Sequence, residues 1–437
     1  MLAGFARLDV TPPLGTPMAG YNRRREAEGI LDLIELNAVA FNDGENTSVI
    51  ISADFLGITQ DRSLQIREMI EAELGVPANN VITAATHTHT SVRFGKRVDV
   101  SLKSTPSTEL ESEEYIYILL RKFVDVARLA IADMKEATFS VGEAQTSKQI
   151  SFVRRFLMKN GEVRSFPKYI PDPNIVRAIG EPDNTLRLVR IERAGAKDIA
   201  IANFSTHPDT TTGSFLSADW PGHSRRYFEA ENPNVNCIML VGAQGDTNHI
   251  DVTKEGSQYG PEHSRAIGRV IADAINDAWK NTSPIKTDKV ASDVRPVFNR
   301  TRTDGLERYE ESKQFLEDYY AKRIKAHAQE IAAARRVINI RIMPIFQSLN
   351  VTAMKVGDLA FVGFGGEAFT EYANRSRASQ PDKFVIAITC ANGYQGYLPT
   401  RSSYEDGGYE SGSSAFSMTL EEEVVGTAID MLKDLYE

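Results

Sequence analysis

The chain has 437 residues, of which 42% are hydrophobic and 25% charged, a composition typical of a folded enzyme of one to three domains. Its formal net charge of -9 argues against a nucleic-acid partner, because binding to a phosphate backbone needs a dense basic surface. No apolar run approaches the roughly 20 residues that cross a bilayer, so no transmembrane segment is expected. The two cysteines, Cys237 and Cys390, each lie in an apolar run and are predicted to be buried thiols without a disulfide framework.

The chain begins with an extended segment. Three prolines and two glycines between Arg7 and Tyr21 exclude a helix and predict a rigid stretch that lies across the core or lines a pocket. The first residues lack the basic and apolar regions of a signal peptide. We therefore expect a cytoplasmic protein, or a secreted one whose signal has been removed.

The rest of the sequence alternates between strand-like and helix-like segments. Strands are predicted from short apolar runs bounded by turn residues, at 36–41, 48–56, 81–90, 184–207, 237–246, 348–364 and 384–390. Helices are predicted from apolar residues at three- and four-residue spacing, at 60–75, 112–135, 261–280 and 419–435. A hairpin is expected within 149–166, a helical excursion at about 304–335, and an irregular segment rich in glycine, tyrosine and serine at 391–416.

This order of strand, helix and strand predicts an α/β fold. Neither an internal repeat nor a low-complexity linker interrupts the sequence, so we expect one compact catalytic unit rather than separable domains.

Two histidines follow the apolar run that starts at Val81. His87 and His89 are two residues apart, and in an extended chain such residues share a face at a distance of about 6.5–7 Å. The two imidazoles could bind one metal ion together, or one could bind the metal while the other handles a proton. The alternative is a pair of surface histidines beside threonines.

Three more predicted strands end in a reactive group: His207, Asp246 and Glu367. Active sites of α/β folds gather at the carboxyl ends of strands, and two histidines with one carboxylate are a common ligand set for catalytic zinc. Each residue also has a structural explanation. His207 could cap a turn before Pro208, Asp246 could be a turn residue, and Glu367 could interact with a helix N-terminus. Their convergence favours the functional interpretation.

Several short motifs, in order along the chain, resemble those of the neutral/alkaline ceramidases, zinc-dependent amidases that cleave the N-acyl bond of ceramide. The resemblance covers the catalytic domain of that family. The motifs are Asp9-Val-Thr-Pro-Pro, Met18-Ala-Gly-Tyr21, Ala85-Thr-His-Thr-His89, Ser205-Thr-His-Pro208, Gly365-Gly-Glu-Ala-Phe-Thr370, Gly396-Tyr-Leu-Pro-Thr400 and Tyr409-Glu-Ser-Gly412.

The resemblance implies a single catalytic domain over residues 1–437, with mixed β-sheets flanked by helices. It also implies roles for individual residues. The implied zinc ligands are His87, His207, Glu367 and Tyr397. His89 would sit beside the reacting carbonyl, Tyr409 would support the site, and Arg154 would lie near the substrate, with Arg155 as its rival.

Two departures from the family pattern predict a changed substrate. The family's Gly-Asp-Val-Ser-Pro-Asn motif supplies a serine close to zinc, but here Asn248 takes the place of the serine and His249 that of the proline. Asparagine cannot act as the nucleophile, and Thr247 would face the opposite side of an extended chain. The chain also stops soon after the tyrosine segment, where the family continues into a C-terminal β-domain. We therefore expect a shorter relative that kept the metal centre.

Three hypotheses follow. In the first, zinc lowers the pKa of a bound water to about 7 and the resulting hydroxide attacks an amide or ester directly. His89 and Arg154 would then stabilise the oxyanion or donate a proton, Asp246 would orient a ligand histidine, and Asn248 would bind the substrate. In the second, the same centre acts on a sugar or glycoside. In the third, the protein is a binding module with a relic of the motif. The expected partner is a small molecule: an N-acyl lipid, an ester or a glycan-like compound.

Overall fold

The computed structural model describes residues 1–21, 25–96, 112–167 and 171–437. Within these ranges, no helix combines the length and the apolar character needed to cross a membrane. The helices are α1 (Gln60–Leu74), α2 (Glu113–Ala132), α3 (Asp219–Glu231), α4 (Pro261–Lys280), α5 (Tyr309–Tyr320), α6 (Ala328–Ile340), α7 (Thr370–Ala378), α8 (Arg401–Asp406), α9 (Tyr409–Ser413) and α10 (Leu420–Tyr436). The strands are β1 (Leu2–Asp9), β2 (Pro17–Met18), β3 (Arg25–Glu26), β4 (Gly29–Ile30), β5 (Glu35–Asn42), β6 (Thr47–Ala53), β7 (Gly57–Ile58), β8 (Val81–Ala85), β9 (Arg93–Phe94), β10 (Lys135–Gln145), β11 (Phe152–Val153), β12 (Arg155–Met158), β13 (Val163–Ser165), β14 (Ile175–Ala178), β15 (Thr185–Arg193), β16 (Asp198–Phe204), β17 (Phe215–Leu216), β18 (Val235–Val241), β19 (Thr247–Asn248), β20 (Ser283–Pro284), β21 (Val290–Arg300), β22 (Phe346–Val356), β23 (Leu359–Phe364), β24 (Glu367–Ala368), β25 (Phe384–Ile388) and β26 (Tyr397–Leu398).

The larger of the two main sheets has the strand order β18-β16-β15-β10-β1-β5-β6-β8, with β20 paired to β10. Most neighbours are antiparallel, but β6–β8 and β16–β18 are parallel pairs at the two ends of the sheet. β1 lies in its middle, antiparallel to both β5 and β10. The strand packs so closely on α2 that a Cβ atom at Gly4 would collide with the Ala130 carbonyl oxygen. The predicted α/β class with mixed sheets is therefore confirmed.

The second main sheet has the order β21-β22-β23-β25, and it packs face to face against the first. Successive residues of a strand point to opposite faces of the sheet. Phe41 and Ile50 of the first sheet share a buried cluster with Phe361 and Ile386 of the second. The residues before and after Ile50 belong to a different cluster, on the other face of the first sheet. The rings of Phe41 and Phe361 meet across this interface, with centroids 6.3 Å apart. The two sheets thus enclose a common core.

Helices cover the outer faces of both sheets, which gives four layers. Buried side chains of α1 and α2 pack on one half of the large sheet, and those of α3 and α4 on the other half. α7 and α10 cover the second sheet. The predicted helical excursion is occupied by α5 and α6, whose apolar residues form a small separate cluster. The segment predicted to be irregular, 391–416, holds the short helices α8 and α9.

Polar side chains and backbone groups join the two sheets at the carboxyl ends of their parallel strands. The Asn203 side-chain amide donates to the carbonyl of Leu240 at 2.8 Å in its own sheet and to that of Ala387 at 2.9 Å in the other. Thr389 N donates to Val241 O at 2.9 Å. Five segments that begin where β8, β16, β18, β23 and β25 end are therefore brought to one place.

The interface between the sheets yields a stability prediction. Phe41→Ala is expected to lower the free energy of unfolding by about 3–5 kcal/mol, because it removes a fully buried ring and leaves a cavity. Phe298→Ala on strand β21 is the matched control, since that ring is 64% exposed and its loss should change stability by less than about 0.5 kcal/mol. Urea unfolding measures both, and equal effects would contradict the sandwich arrangement.

Candidate metal centre and active site

His87 follows β8 and is held in a strained backbone conformation, with a φ of 65°. Its backbone N–H donates to Phe55 O at 2.9 Å, and its Nδ1 lies 2.7 Å from Leu56 O. Since a carbonyl oxygen can only accept, Nδ1 donates to Leu56 O, and Nε2 is the nitrogen that faces Glu367. The side chain is buried, so the fold fixes both its position and its tautomer.

His207 follows β16 and is held in a similar way. Its Nδ1 lies 3.3 Å from Gln244 O, three residues after the neighbouring parallel strand β18, and 3.5 Å from Arg154 Nη1. Its Nε2 is buried and has no hydrogen-bond partner among the described residues. A histidine whose second nitrogen is anchored by a backbone carbonyl is the usual arrangement of a metal ligand.

Glu367 completes a compact group of buried donors. Its Oε2 lies 3.4 Å from His87 Nε2 and 3.7 Å from His207 Nε2, while its Oε1 accepts a hydrogen bond from the Tyr394 hydroxyl at 3.0 Å. His89 Nε2 is 3.3 Å from His87 Nε2. The ligand atoms of the three histidines lie within 4.8 Å of one another. Converging lone pairs of this kind suit a divalent cation, so the donor set fits the metal that the motifs imply.

The charges within this group shift its proton affinities strongly. Burial raises the pKa of Glu367, but the neighbouring His87 and His207 outweigh burial and lower it well below its usual range. Burial and the charge of Arg154 lower the pKa of His207 well below its usual value. Burial and His87 lower the pKa of His89 to about 3, so His89 is neutral at pH 7. Burial lowers the pKa of His87, but Glu367 and Cys390 outweigh burial and raise it well above its usual value. The group therefore holds neutral imidazoles at His89 and His207, an ionised Glu367 and a protonated His87, whose proton a bound metal would displace.

Arg154 connects the metal-binding group to the tyrosine segment. Its Nε lies 2.7 Å from Glu410 Oε1, and its Nη2 donates to Gly245 O at 2.7 Å. Its guanidinium stands 5.0 Å from the centre of the Tyr397 ring. Arg155 points elsewhere, with a hydrogen bond to Gly407 O at 3.0 Å. Of the two candidate arginines, Arg154 is thus the one beside the histidines.

The two tyrosines of the last motif lie together beside His207. The Tyr397 ring stacks on the His207 ring at 6.5 Å and meets the Tyr409 ring edge-on at 5.7 Å. Burial raises the pKa of Tyr397 well above its usual value. β26 brings Tyr397 into register with Glu367, because the two residues are partners in the parallel β24–β26 pair.

Two residues of the site were not predicted from the sequence. Tyr394 donates its hydroxyl to Glu367, and the fully buried Glu410 binds both Arg154 and the Ser165 hydroxyl, the latter at 2.6 Å. Tyr394 precedes Tyr397 by three residues and Glu410 follows Tyr409 directly. Their closeness to the tyrosine motif was the sequence signal that could have identified them. Only the fold shows that these two neighbours of the motif point into the site.

Asp246 and Asn248 both lie close to Arg154. The Asp246 carboxylate accepts from the backbone N and the hydroxyl of Thr370, both at 2.9 Å, and its carbonyl accepts from Arg154 N at 3.1 Å. Asp246 thus joins the start of α7 to the backbone of Arg154, between β11 and β12. Asn248 lines a small cavity of about 70 Å³ that opens to solvent. The other lining residues are Arg154, Phe156, Phe166, Pro167, Ile250, Val252 and Tyr259.

The extended N-terminal segment lies against His89. Ala19 N donates to Ser91 O at 2.9 Å, and the Tyr21 ring meets the His89 ring edge-on at 5.2 Å. Gly20 has a φ of +108°, and a Cβ atom there would come within 2.8 Å of the His89 ring. This segment thus forms one wall of the site.

Comparison with known proteins supports the same fold. No protein-family model and no curated protein matches the sequence. Among solved structures, a neutral ceramidase from Pseudomonas aeruginosa matches with a TM-score of 0.74 and 17% identity, over 99% of this chain and 74% of that one. A ceramidase complexed with C2 matches with a TM-score of 0.72 and 16% identity, over 100% of this chain and 75% of that one. The chain therefore has the fold of the neutral ceramidases, and the resemblance that its motifs predicted is confirmed at the level of the fold.

Proposed function

We propose that residues 1–437 form a zinc-dependent hydrolase domain that cleaves an amide (N-acyl) or ester bond. One observation carries the proposal: buried nitrogen and oxygen atoms of His87, His89, His207 and Glu367 converge where the parallel strands of two sheets end. Ionised and imidazole side chains are rarely left so close in a protein interior without a ligand to bind. The fold match to ceramidases supports an amide as the bond attacked.

The residues that would hold zinc are His87, His207, Glu367 and Tyr397. A zinc ion in this group would supply Lewis-acid activation of water and of the substrate carbonyl near neutral pH. Leu56 O accepts from His87 Nδ1, and Gln244 O and Arg154 Nη1 lie 3.3 and 3.5 Å from His207 Nδ1, so contacts at Nδ1 orient both histidines. Tyr394 holds the carboxylate of Glu367. These contacts preorganise the ligands, so little conformational entropy is lost on metal binding.

The side chains around the metal group would act on the substrate. Arg154 keeps its positive charge inside the site, where a guanidinium can stabilise an oxyanion. His89 is neutral and can donate one hydrogen bond to the reacting carbonyl. Asn248 offers an amide to the substrate in the cavity, and Tyr409 supports the Tyr397 ring. Because Asn248 cannot be a nucleophile, the proposed reaction is direct attack by water.

Metal analysis combined with a substrate panel tests the proposal. Purified protein is expected to contain about one zinc per chain, in keeping with a single four-ligand site. It should then cleave members of a panel of N-acyl lipids and simple esters in a chelator-sensitive manner. Activity on glycosides alone would contradict the proposed acyl substrate and identify a sugar substrate instead. A protein that cannot be loaded with zinc would indicate a non-enzymatic binding module.

The wall formed by Gly20 yields a second test of the site. Gly20→Ala is expected to reduce kcat/KM at least about tenfold, since a displacement of about 1 Å in an active site can cost 10²-fold. The methyl group of the new alanine would lie 2.8 Å from the His89 ring, so the ring must move.

Gly15→Ala is the matched control for this substitution. Gly15 also has a positive φ, +84°, but no atom lies within 4 Å of the position that a methyl group would take there. Both variants should lose about 1–2 kcal/mol of stability from the left-handed backbone. Only Gly20→Ala should lose activity, and an equal loss in both variants would show that His89 plays no part.

A further inference from the structure

A second carboxylate–histidine pair lies beside the metal-binding group. His249 Nδ1 is 3.1 Å from Asp209 Oδ1, and only 2% of His249 and 7% of Asp209 is exposed. The two residues come from different segments: Asp209 follows the ligand His207 by two residues, and His249 follows the cavity residue Asn248. In the family that the motifs resemble, a proline takes the place of His249, so this pair is a feature of the present chain.

Asp209 fixes the orientation of the His249 ring. A carboxylate can only accept, so Nδ1 carries the proton and Nε2 faces away from Asp209. The Asp209 carboxylate is placed to stabilise positive charge that develops on the ring beside it.

The residues on both sides of His249 in the chain, Asn248 and Ile250, line the substrate cavity. The Nε2 atom of His249 is buried and has no hydrogen-bond partner in the described part of the chain. The ring meets Tyr259 edge-on at 5.1 Å, and Tyr259 lines the cavity together with Asn248 and Arg154. His263, on the first turn of α4, faces the ring from the solvent side at 5.8 Å. The mechanism proposed above uses neither His249 nor Asp209.

We propose that His249 is a catalytic residue that donates a proton from Nε2 to the leaving group, with Asp209 as its positioning residue. The inference rests on the proposed hydrolase function. In amide cleavage, water adds to the carbonyl carbon and the C–N bond then breaks. His249 acts in its protonated form, in which Nε2 as well as Nδ1 carries a proton. The nitrogen of the leaving group keeps the electron pair of the C–N bond and takes the proton from Nε2. The proton released by the attacking water then restores the protonated ring, so acid, amine and enzyme balance at the end of the cycle.

Leaving-group dependence tests this role, because an activated leaving group needs no proton. The probes are a p-nitrophenyl ester and an alkyl amide of the same acyl chain, assayed with zinc-loaded protein. His249→Asn keeps an N–H for Asp209 but lacks Nε2. It is expected to lose about 10²–10⁴-fold in kcat/KM on the amide and less than about tenfold on the ester. Asp209→Asn should show the same pattern with a smaller loss.

Controls separate this role from folding and from the proposed function. His263→Asn, on the neighbouring histidine, should leave both rates near wild type. Should His249→Asn fail to fold, as judged by circular dichroism and zinc content, His249→Gln is assayed in its place. Equal losses on ester and amide, or none, would overturn the role of His249 while leaving the hydrolase intact. A zinc-loaded wild type that cleaves neither probe nor any member of the panel would overturn both.

Discussion

Replacing His207 with alanine is expected to abolish zinc binding and turnover together. The side chain supplies a buried Nε2 that lies 3.7 Å from Glu367 Oε2 and makes no hydrogen bond with the described residues. Loss of an outer-shell partner of a metal ligand costs about 10–100-fold in affinity or activity, so loss of a ligand should exceed about 100-fold. Zinc content by mass spectrometry and kcat/KM on the cleaved substrate measure the effect.

The control for this experiment is another buried histidine. His223 lies on α3, where its Nε2 is 3.8 Å from Asp32, and it contributes no atom to the candidate site. His223→Asn should keep zinc and turnover near the wild-type values, even if it lowers stability. A folded His207→Ala protein with normal metal content and activity would remove the basis of the proposed function.

The second large effect is expected at Arg154. The side chain forms an ion pair with Glu410 at 2.7 Å, and both residues are almost fully buried. Arg154→Met leaves the Glu410 carboxylate without its counter-charge, which should lower the free energy of unfolding by about 3–5 kcal/mol. Turnover should also fall about 10²–10³-fold, because a donor that stabilises the oxyanion is lost.

A double variant distinguishes the two consequences. Arg154→Met/Glu410→Gln removes the buried charge as well, so stability should return to within about 2 kcal/mol of wild type while activity stays low. Arg155→Met is the matched single control: its partner Asp406 is 40% exposed, and turnover should be unaffected. If Arg155→Met lowered turnover as much as Arg154→Met, the assignment of the substrate-facing arginine would be reversed. Urea titrations and steady-state kinetics supply both measurements.

The sequence located most of the regular elements because their signals are local. The predicted helices at 60–75, 112–135, 261–280 and 419–435 correspond to α1, α2, α4 and α10 within three residues at each end. Apolar spacing is set by which face of an element is buried, and that pattern persists in the sequence. α3 was not predicted, since its first turn contains Pro221 and Gly222, which sequence rules associate with helix ends.

β1 and β10 show where local signals were insufficient. The proline-rich motif that follows β1 suggested an extended segment, but Leu2–Asp9 lies in the middle of the large sheet. Its place depends on pairing with β5 and with β10, and the Leu2–Glu136 pair joins residues that are 134 positions apart in the chain. Pairing over such distances leaves no periodic trace in either strand alone.

The sequence by itself determined the α/β class and the order in which histidine and carboxylate residues follow apolar strands. Both depend on local signals: the alternation of strand-like and helix-like patterns, and the residues at the ends of short apolar runs. Only the tertiary structure decided that these strand ends meet, since that depends on two sheets packing face to face through side chains such as Phe41 and Phe361. The same packing selected Arg154 over Arg155, brought Glu410 and Tyr394 inward, and paired Asp209 with His249. Each of these contacts joins residues that are distant in sequence. Buried polar and charged groups must be paired, and their partners come within reach only in the folded structure.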